Sequence, residues 1–377
     1  MNKKRILVIG AEVKPVPSVK GGAVELLLDY LIQENKINQF ANLTIVSPYD
    51  EKAKIESKAY NNTSFLYIKT NKIIDNIIYI INLLSRKFFN TNFRNYYISK
   101  IVKTINLNNY DLILIENRPL FGEVIRKKYT GPLFLHLHND SIEQCLKLDN
   151  NAFTNYTKII TVSNYLKEKL HSYGYNNTVT IYNGVDLDRF ISLKRYNGGT
   201  KRIIYSGRIA KEKGVIELIN SFSKIKDSNI SLDIIGEFDT NSEDISLYSK
   251  LIKEKASEDK RINLIGYVPY NQIHSYYEGA YLGVLPTIVN EALSLSAIEM
   301  IASGIPIIHS GKGGLNESVP KQYGAIINNN DFELSLLSIL EDLISNEDKR
   351  NSIVPPKEIN IQFTKKFYVQ SLIKELL

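Results

Sequence analysis

Short, mainly apolar runs recur along this chain, each closed by polar turn residues and followed by a stretch whose apolar positions repeat with the period of a helix. The runs fall at 5–9, 43–47, 65–68, 112–116, 133–137, 158–162 and 178–182. After the turn at Asn183-Gly184 the pattern restarts at 202–206, 232–236, 262–266, 282–286 and 305–309. Between them lie helical patterns such as Val24, Leu27, Leu28 and Leu31, spaced to share one helix face. Runs that are mainly apolar without alternating suit strands buried on both faces, and their alternation with helices predicts parallel sheets with crossover connections. The expected architecture is α/β with two doubly wound halves, 1–182 and 183–363, a hinge at 195–200, and a last helix over 364–377. No internal repeat breaks this pattern.

Composition narrows the class. At 377 residues and 44% hydrophobic, the chain is long enough for two domains with a core each. Its single cysteine, Cys145, excludes an internal disulfide and fits a reducing cytosol. The N-terminal apolar stretch 6–9 is too short for a signal-peptide core, and the longest apolar run, 77–84, is interrupted by Asn82 and far below spanning length. The expectation is a cytoplasmic protein, soluble or peripheral at the inner face of the membrane. A net charge of +7 invites a nucleic-acid reading, but the enrichment in Ile, Asn and Lys is what AT-rich coding produces without functional demand, and no nucleic-acid partner is expected.

Chemistry concentrates in a few places. The run from Pro286 to Ile308 sets Glu291 and Glu299 eight positions apart, the first in a loop and the second about a turn inside a helix that Ser294 or Ser296 can cap and Gly304 ends. A helix N-terminus attracts phosphate, whereas carboxylates beside it repel phosphate and accept hydrogen bonds from hydroxyls. Sugar and ribose hydroxyls flanking a diphosphate suit that layout. The plain alternative is a pair of solvated charges. Arg208 and Lys213 follow a buried run and can neutralise a diphosphate, the one as a fork and the other as a point charge; the alternative is a solvated helix start. Lys20-Gly21-Gly22-Ala23 precedes a helix and lets backbone approach a ligand, or is only a hinge. No Gly-x-Gly-x-x-Gly follows the first run, which argues against a dehydrogenase. His136-Leu137-His138-Asn139-Asp140 puts two histidines on one strand face and could hold a divalent metal. Asp186-Leu187-Asp188 mimics a metal site but reads as turn and cap chemistry.

The segment Glu291 to Glu299 resembles the Glu, seven residues, Glu motif of the retaining glycosyltransferases of family 4. Ser206-Gly207-Arg208-Ile209-Ala210-Lys211-Glu212-Lys213-Gly214 is similar to that family's Gly-Arg…Lys-Gly element, and Asn183-Gly184-Val185-Asp186-Leu187-Asp188-Arg189-Phe190 to its Asn-Gly-Val-Asp…Phe segment. The resemblance runs from about Lys20 to the C-terminal helix. It implies a GT-B fold, two Rossmann-like domains facing each other across a cleft, with helix 364–377 returning to the first. It implies retaining, metal-independent transfer of a sugar from a nucleoside diphosphate sugar, expected to be a UDP-sugar, to an acceptor hydroxyl, with no cofactor. It assigns catalysis to His138, Glu291, Arg208 and Lys213. Donor binding falls to Gly21, Gly22, Gly207, Arg208, Lys213, Gly236, Tyr267, Val268, Glu291, Leu293, Ser294, Leu295 and Glu299. His136 is expected to be a satisfied core residue. Many members carry Phe-Gly where this chain has Leu293-Ser294. The rival readings are an inactive scaffold of the same fold, an epimerase or phosphorylase, and a metal-dependent hydrolase built on His136, His138 and Asp140.

The stretch 69–104 carries Lys69, Lys72, Arg86, Lys87, Arg94, Lys100 and Lys103 against the single acid Asp75, a net charge of +6, interleaved with isoleucines and aromatics. Such a surface suits an anionic membrane and hence an acceptor glycan linked to lipid, as in envelope polysaccharide synthesis. An ordinary amphipathic helical pair packed on the sheet is the alternative.

Overall fold

Strands rich in isoleucine, leucine and valine form two parallel sheets. The computed structural model describes residues 3–70, 95–238, 243–328, 330–356 and 360–377. The chain divides into two compact units, residues 1–184 with 365–377, and residues 185–364.

In the first unit seven strands run β1 (Arg5–Ile9), β2 (Asn42–Pro48), β3 (Thr63–Ile68), β4 (Leu112–Glu116), β5 (Leu133–Leu137), β6 (Lys158–Thr161) and β7 (Thr178–Thr180). Their spatial order is β3-β2-β1-β4-β5-β6-β7, every described pair parallel. Strand order reverses between β1 and β4, and in open sheets of this kind ligands bind outside the carboxyl ends of strands at such a reversal. Ile6, Val8, Ile45 and Leu114 meet Leu27, Leu28 and Leu31 of the helix Ala23–Asn38 in one core. The C-terminal helix Lys365–Leu376 joins it with Tyr368, Val369, Leu372 and Leu376, all buried. At roughly 1.5–3 kcal/mol for each large apolar side chain taken out of water, that face is ample to hold the helix. Gly184 makes the approach feasible, since a Cβ there would stand 2.7 Å from the Tyr368 Cβ and the Lys365 Cα.

The second unit holds β8 (Lys201–Ser206), β9 (Ile230–Ile235), β10 (Ile262–Gly266), β11 (Leu282–Leu285), β12 (Ile307–His309) and β13 (Gly324–Ile326), ordered β10-β9-β8-β11-β12-β13 and again parallel. Its reversal lies between β8 and β11. The core packs Ile203, Leu232, Ile234, Leu282 and Val284 against Val215, Leu218, Phe222, Leu336 and Leu340. Twelve of the thirteen strands fall on the apolar runs. The exception, β13, is half-exposed at the sheet edge and too short to show a run. The stretch 195–200, expected as the hinge, lies wholly inside the second unit, where Arg195 donates to the Pro355 carbonyl and Tyr196 packs edge-on to Tyr281.

Most of the basic stretch expected to meet a membrane, 71–94 with Lys72, Asp75, Arg86, Lys87 and Arg94, lies outside the described residues. The helix Tyr96–Thr104 at its end buries Tyr97, Ile98 and Ile101 in the first unit. No helix among the described residues is long and apolar enough to cross a membrane.

Candidate functional site

In the second unit the loops leaving β8 and β11 face the strand-order reversal together, because the two strands pair through Ile203 with Leu282 and Ile204 with Gly283. The backbone laces these loops. The Glu212 carbonyl accepts from the Ile288 amide at 2.9 Å and from the Thr287 hydroxyl at 3.1 Å. Gly214 follows in the left-handed region, φ 69°, where a Cβ would collide with the Pro286 carbonyl oxygen. Only glycine fits, so the end of the first loop is held against the second. The result is a direct ion pair between Lys213 Nζ and Glu291 Oε1, each side chain about one-fifth exposed. Arg208 lies more openly, 3.3 Å from Glu212. Gly207 and Gly236 abut, since a Cβ on Gly236 would run into the Gly207 carbonyl.

The second loop leads into the helix Leu295–Ala302. Ser294, not Ser296, is its cap, the hydroxyl accepting from the Ala297 amide at 3.3 Å while the Ser294 amide donates to Ser318 Oγ at 3.1 Å. Leu293 is buried and Leu295 partly so. Glu299, one turn in, is buried and accepts from the Tyr277 hydroxyl at 3.0 Å. Burial pushes its carboxyl up to about 8, against the smaller pull of the Tyr277 hydrogen bond. Near neutrality this group is therefore an acid that can donate as well as accept. Tyr267 and Val268 follow edge strand β10, two strands away from the reversal, with Tyr267 exposed.

In the first unit the loop after β1 ends in Gly21 and Gly22, both at positive φ, before the helix Ala23–Asn38. The free amides expected there do not stand open to an anion. The buried Glu25 carboxylate folds back over Gly22, where a Cβ would strike it, and burial raises that carboxyl to about 7. Lys20 pairs with Asp50 at 2.7 Å. This corner therefore suits hydroxyls better than diphosphate.

Across β4 and β5, Glu116 registers beside His136, and His138 stands two residues further on the same face. His138 Nε2 lies 2.8 Å from Glu116 Oε2, and His136 Nδ1 lies 3.3 Å from the same oxygen. All three are buried, and their ligating atoms are close enough together to hold a metal ion. The trio of the rival metal reading, His136 and His138 with Asp140, does not form. Asp140 pairs instead with Lys169 at 2.8 Å and the Tyr165 hydroxyl at 2.5 Å, because the chain turns at Asn139 and carries it away from the imidazoles. His136 is a core residue, its ring stacked 6.2 Å from Tyr368, but not the satisfied one expected, since neither ring nitrogen has a hydrogen-bond partner among the described residues. Asp186 pairs with Arg189 at 3.1 Å, as turn chemistry would have it.

Known proteins converge on one family. The family model described as Glycosyl transferases group 1 matches residues 186–356, and Glycosyltransferase Family 4 matches 49–189. An uncharacterized glycosyltransferase of Methanocaldococcus jannaschii, MJ1178, is 28% identical over 92% of this chain and 90% of its own. The chain is a glycosyltransferase, similar to those of family 4. The lipopolysaccharide 1,2-N-acetylglucosaminetransferase of Salmonella typhimurium is 26% identical over 55% of this chain and 56% of its own. Anabaena HepE, solved in complex with UDP-glucose, superposes with a TM-score of 0.74 at 15% identity, covering 98% of this chain and 99% of that one, and the fold is GT-B.

Sequence reasoning about this glycosyltransferase missed Glu116, Glu25 and Tyr277. Glu116 left a signal, an ionisable residue closing an otherwise apolar strand, but its partners sit on another strand. The buried Glu299 carboxyl also has a measurable consequence. Its folded-state value of about 8 exceeds the ordinary 4.5, so its stabilising contribution is complete below about pH 4.5 and is lost as pH rises to about 8. Glu299→Gln should raise Tm over wild type far more near pH 9 than near pH 5 by scanning fluorimetry. An equal Tm difference at both pH values would contradict the raised carboxyl.

Proposed function

We propose that this glycosyltransferase moves a sugar from a nucleoside diphosphate sugar, UDP-linked, to an acceptor hydroxyl with retention at the anomeric carbon and without a metal. The observation that carries this reading is the Lys213–Glu291 pair at the carboxyl ends of β8 and β11. A cation and a carboxylate held together at the strand reversal suit a ligand with an anionic and a hydroxylic end. The diphosphate draws on Lys213 and Arg208 and on the first-turn amides of the helix Leu295–Ala302, and Glu291 turns to a sugar hydroxyl. Such preorganised charge supplies the leaving-group stabilisation that a metal would otherwise supply. Glu299 takes the ribose. The bond from the anomeric carbon to the phosphate oxygen breaks, the bond to the acceptor oxygen forms on the same face, and the leaving phosphate oxygen takes the acceptor proton. His138 serves the transferred sugar or the charge that develops on it. The UDP-glucose bound by HepE supports the choice of base.

The test is a thermal-shift screen of nucleotide sugars, since a ligand that binds only the native state raises Tm. UDP-sugars should raise it, with and without EDTA, and transfer should survive chelation. No shift from any nucleoside diphosphate would overturn the reading, and activity abolished by EDTA and restored by a divalent ion would overturn the metal-independent mechanism.

The acceptor we propose is a glycan on a lipid carrier, at the inner face of the membrane. The name of the Salmonella relative and the net charge of the stretch 69–104 support it. Each cation near an anionic bilayer is worth roughly 1 kcal/mol. The protein should co-sediment with anionic vesicles, less so as salt rises, and less when Arg86, Lys87 and Arg94 are changed to Glu. Equal recovery in the supernatant with neutral and anionic vesicles at low salt would overturn the membrane reading and leave the ordinary amphipathic helical pair standing.

A further inference from the structure

We infer that Glu116 is a positioning residue of this glycosyltransferase, fixing the orientation and the proton of the His138 imidazole. The inference rests on the proposed role of His138 toward the sugar. Three observations carry it. Glu116 Oε2 sits 2.8 Å from His138 Nε2, so a carboxylate there holds the proton on Nε2 and leaves Nδ1 as the ring nitrogen able to accept. The backbone fixes the same histidine from the other side. Asn117, in the left-handed region at φ 55°, accepts from the His138 amide through Oδ1 at 3.1 Å and donates its own amide to the His136 carbonyl at 2.8 Å. Finally, the carboxylate is placed at a cost. Its second oxygen, Oε1, is buried and receives no hydrogen bond from the described residues, and a buried charge so poorly satisfied is weak evidence for a stabilising role.

Burial opposes charge on Glu116 and on His138 alike, and the hydrogen bond between them favours the carboxylate. A carboxylate bonded to an imidazole in this way orients the histidine without taking its proton.

The test is a double-mutant cycle of Glu116→Gln and His138→Ala, with kcat, donor KM and Tm for all four proteins. Glu116→Gln keeps the shape and an acceptor oxygen but removes the charge. It should lower kcat about 10- to 100-fold at unchanged donor KM, with Tm equal to or above wild type. On the His138→Ala background it should cost nothing further, since a residue that acts only through another has no effect once that other is gone. Independent multiplication of the two losses, wild-type turnover in Glu116→Gln, or a loss explained by lowered Tm would overturn the inference. A second readout does not need activity. In ¹⁵N NMR of histidine-labelled protein, which has five histidines, His138 should carry its proton on Nε2 and lose that preference in Glu116→Ala, which leaves no acceptor. A proton on Nδ1 in the wild type, or one equivalent of bound metal in place of the Nε2 proton, would equally overturn it. If His138→Ala transfers sugar at the wild-type rate, the role given to His138 fails, while the tautomer measurement still decides whether Glu116 positions it.

Discussion

Lys213→Ala should lower kcat by on the order of 100-fold or more and weaken UDP binding, while the protein stays folded. The side chain is about one-fifth exposed, ends in the pair with Glu291 and is not part of the hydrophobic core of the second unit, so that core stays intact. What is lost is a point charge held by laced loops beside the position proposed for the leaving diphosphate. In water a mobile ion would replace it cheaply. At a prearranged site nothing does. Glu291 is left without its cation, and its repulsion adds to the loss in diphosphate affinity. Arg208→Ala should fall in the same direction. Calorimetry with UDP and initial rates with the donor found in the thermal-shift screen check both, and wild-type rates in both variants would remove the diphosphate assignment.

Glu291→Gln separates the two ends of the donor. If the carboxylate serves the sugar, turnover should drop by about 100-fold or more, yet UDP should bind as tightly as to wild type or more tightly, because Lys213 is released from its intramolecular partner. A substitution that only damaged the loop would weaken both. The contrast is therefore diagnostic: Lys213→Ala loses UDP and rate, Glu291→Gln loses rate alone. Weaker UDP binding in Glu291→Gln would show that the ion pair holds the loop rather than poising a charge.

The periodicities were legible because they are local. A strand buried on both faces must be apolar throughout, so runs such as Ile6–Ile9 and Leu112–Ile115 announce themselves, as does the 3.6-residue stripe of Leu27, Leu28 and Leu31. Helix caps are local too, though Ser294 and Ser296 were equivalent until the backbone at Ser294 proved extended and its hydroxyl reached the Ala297 amide. The ordered motifs Arg208, Lys213, Glu291 and Glu299 pointed to the family for the same reason, since each is a short string. β13 escaped because three half-exposed edge residues carry no pattern.

What the sequence by itself determined is thus the class of fold, the alternation of elements and the kinds of side chain present at strand ends. Only the tertiary structure decided who meets whom. Lys213 and Glu291 lie 78 positions apart and touch because β8 and β11 are neighbours across a strand-order reversal. Glu116 stands beside His136 by parallel register, while the bend at Asn139 takes Asp140 away from the imidazoles to Lys169. The Gly22 corner, open to an anion in sequence, is filled by Glu25. The physical reason is common to all three. Local sequence sets backbone periodicity through sterics and burial, whereas the energy of a charge depends on its neighbours and on its access to water, and those are assigned only when distant strands pair.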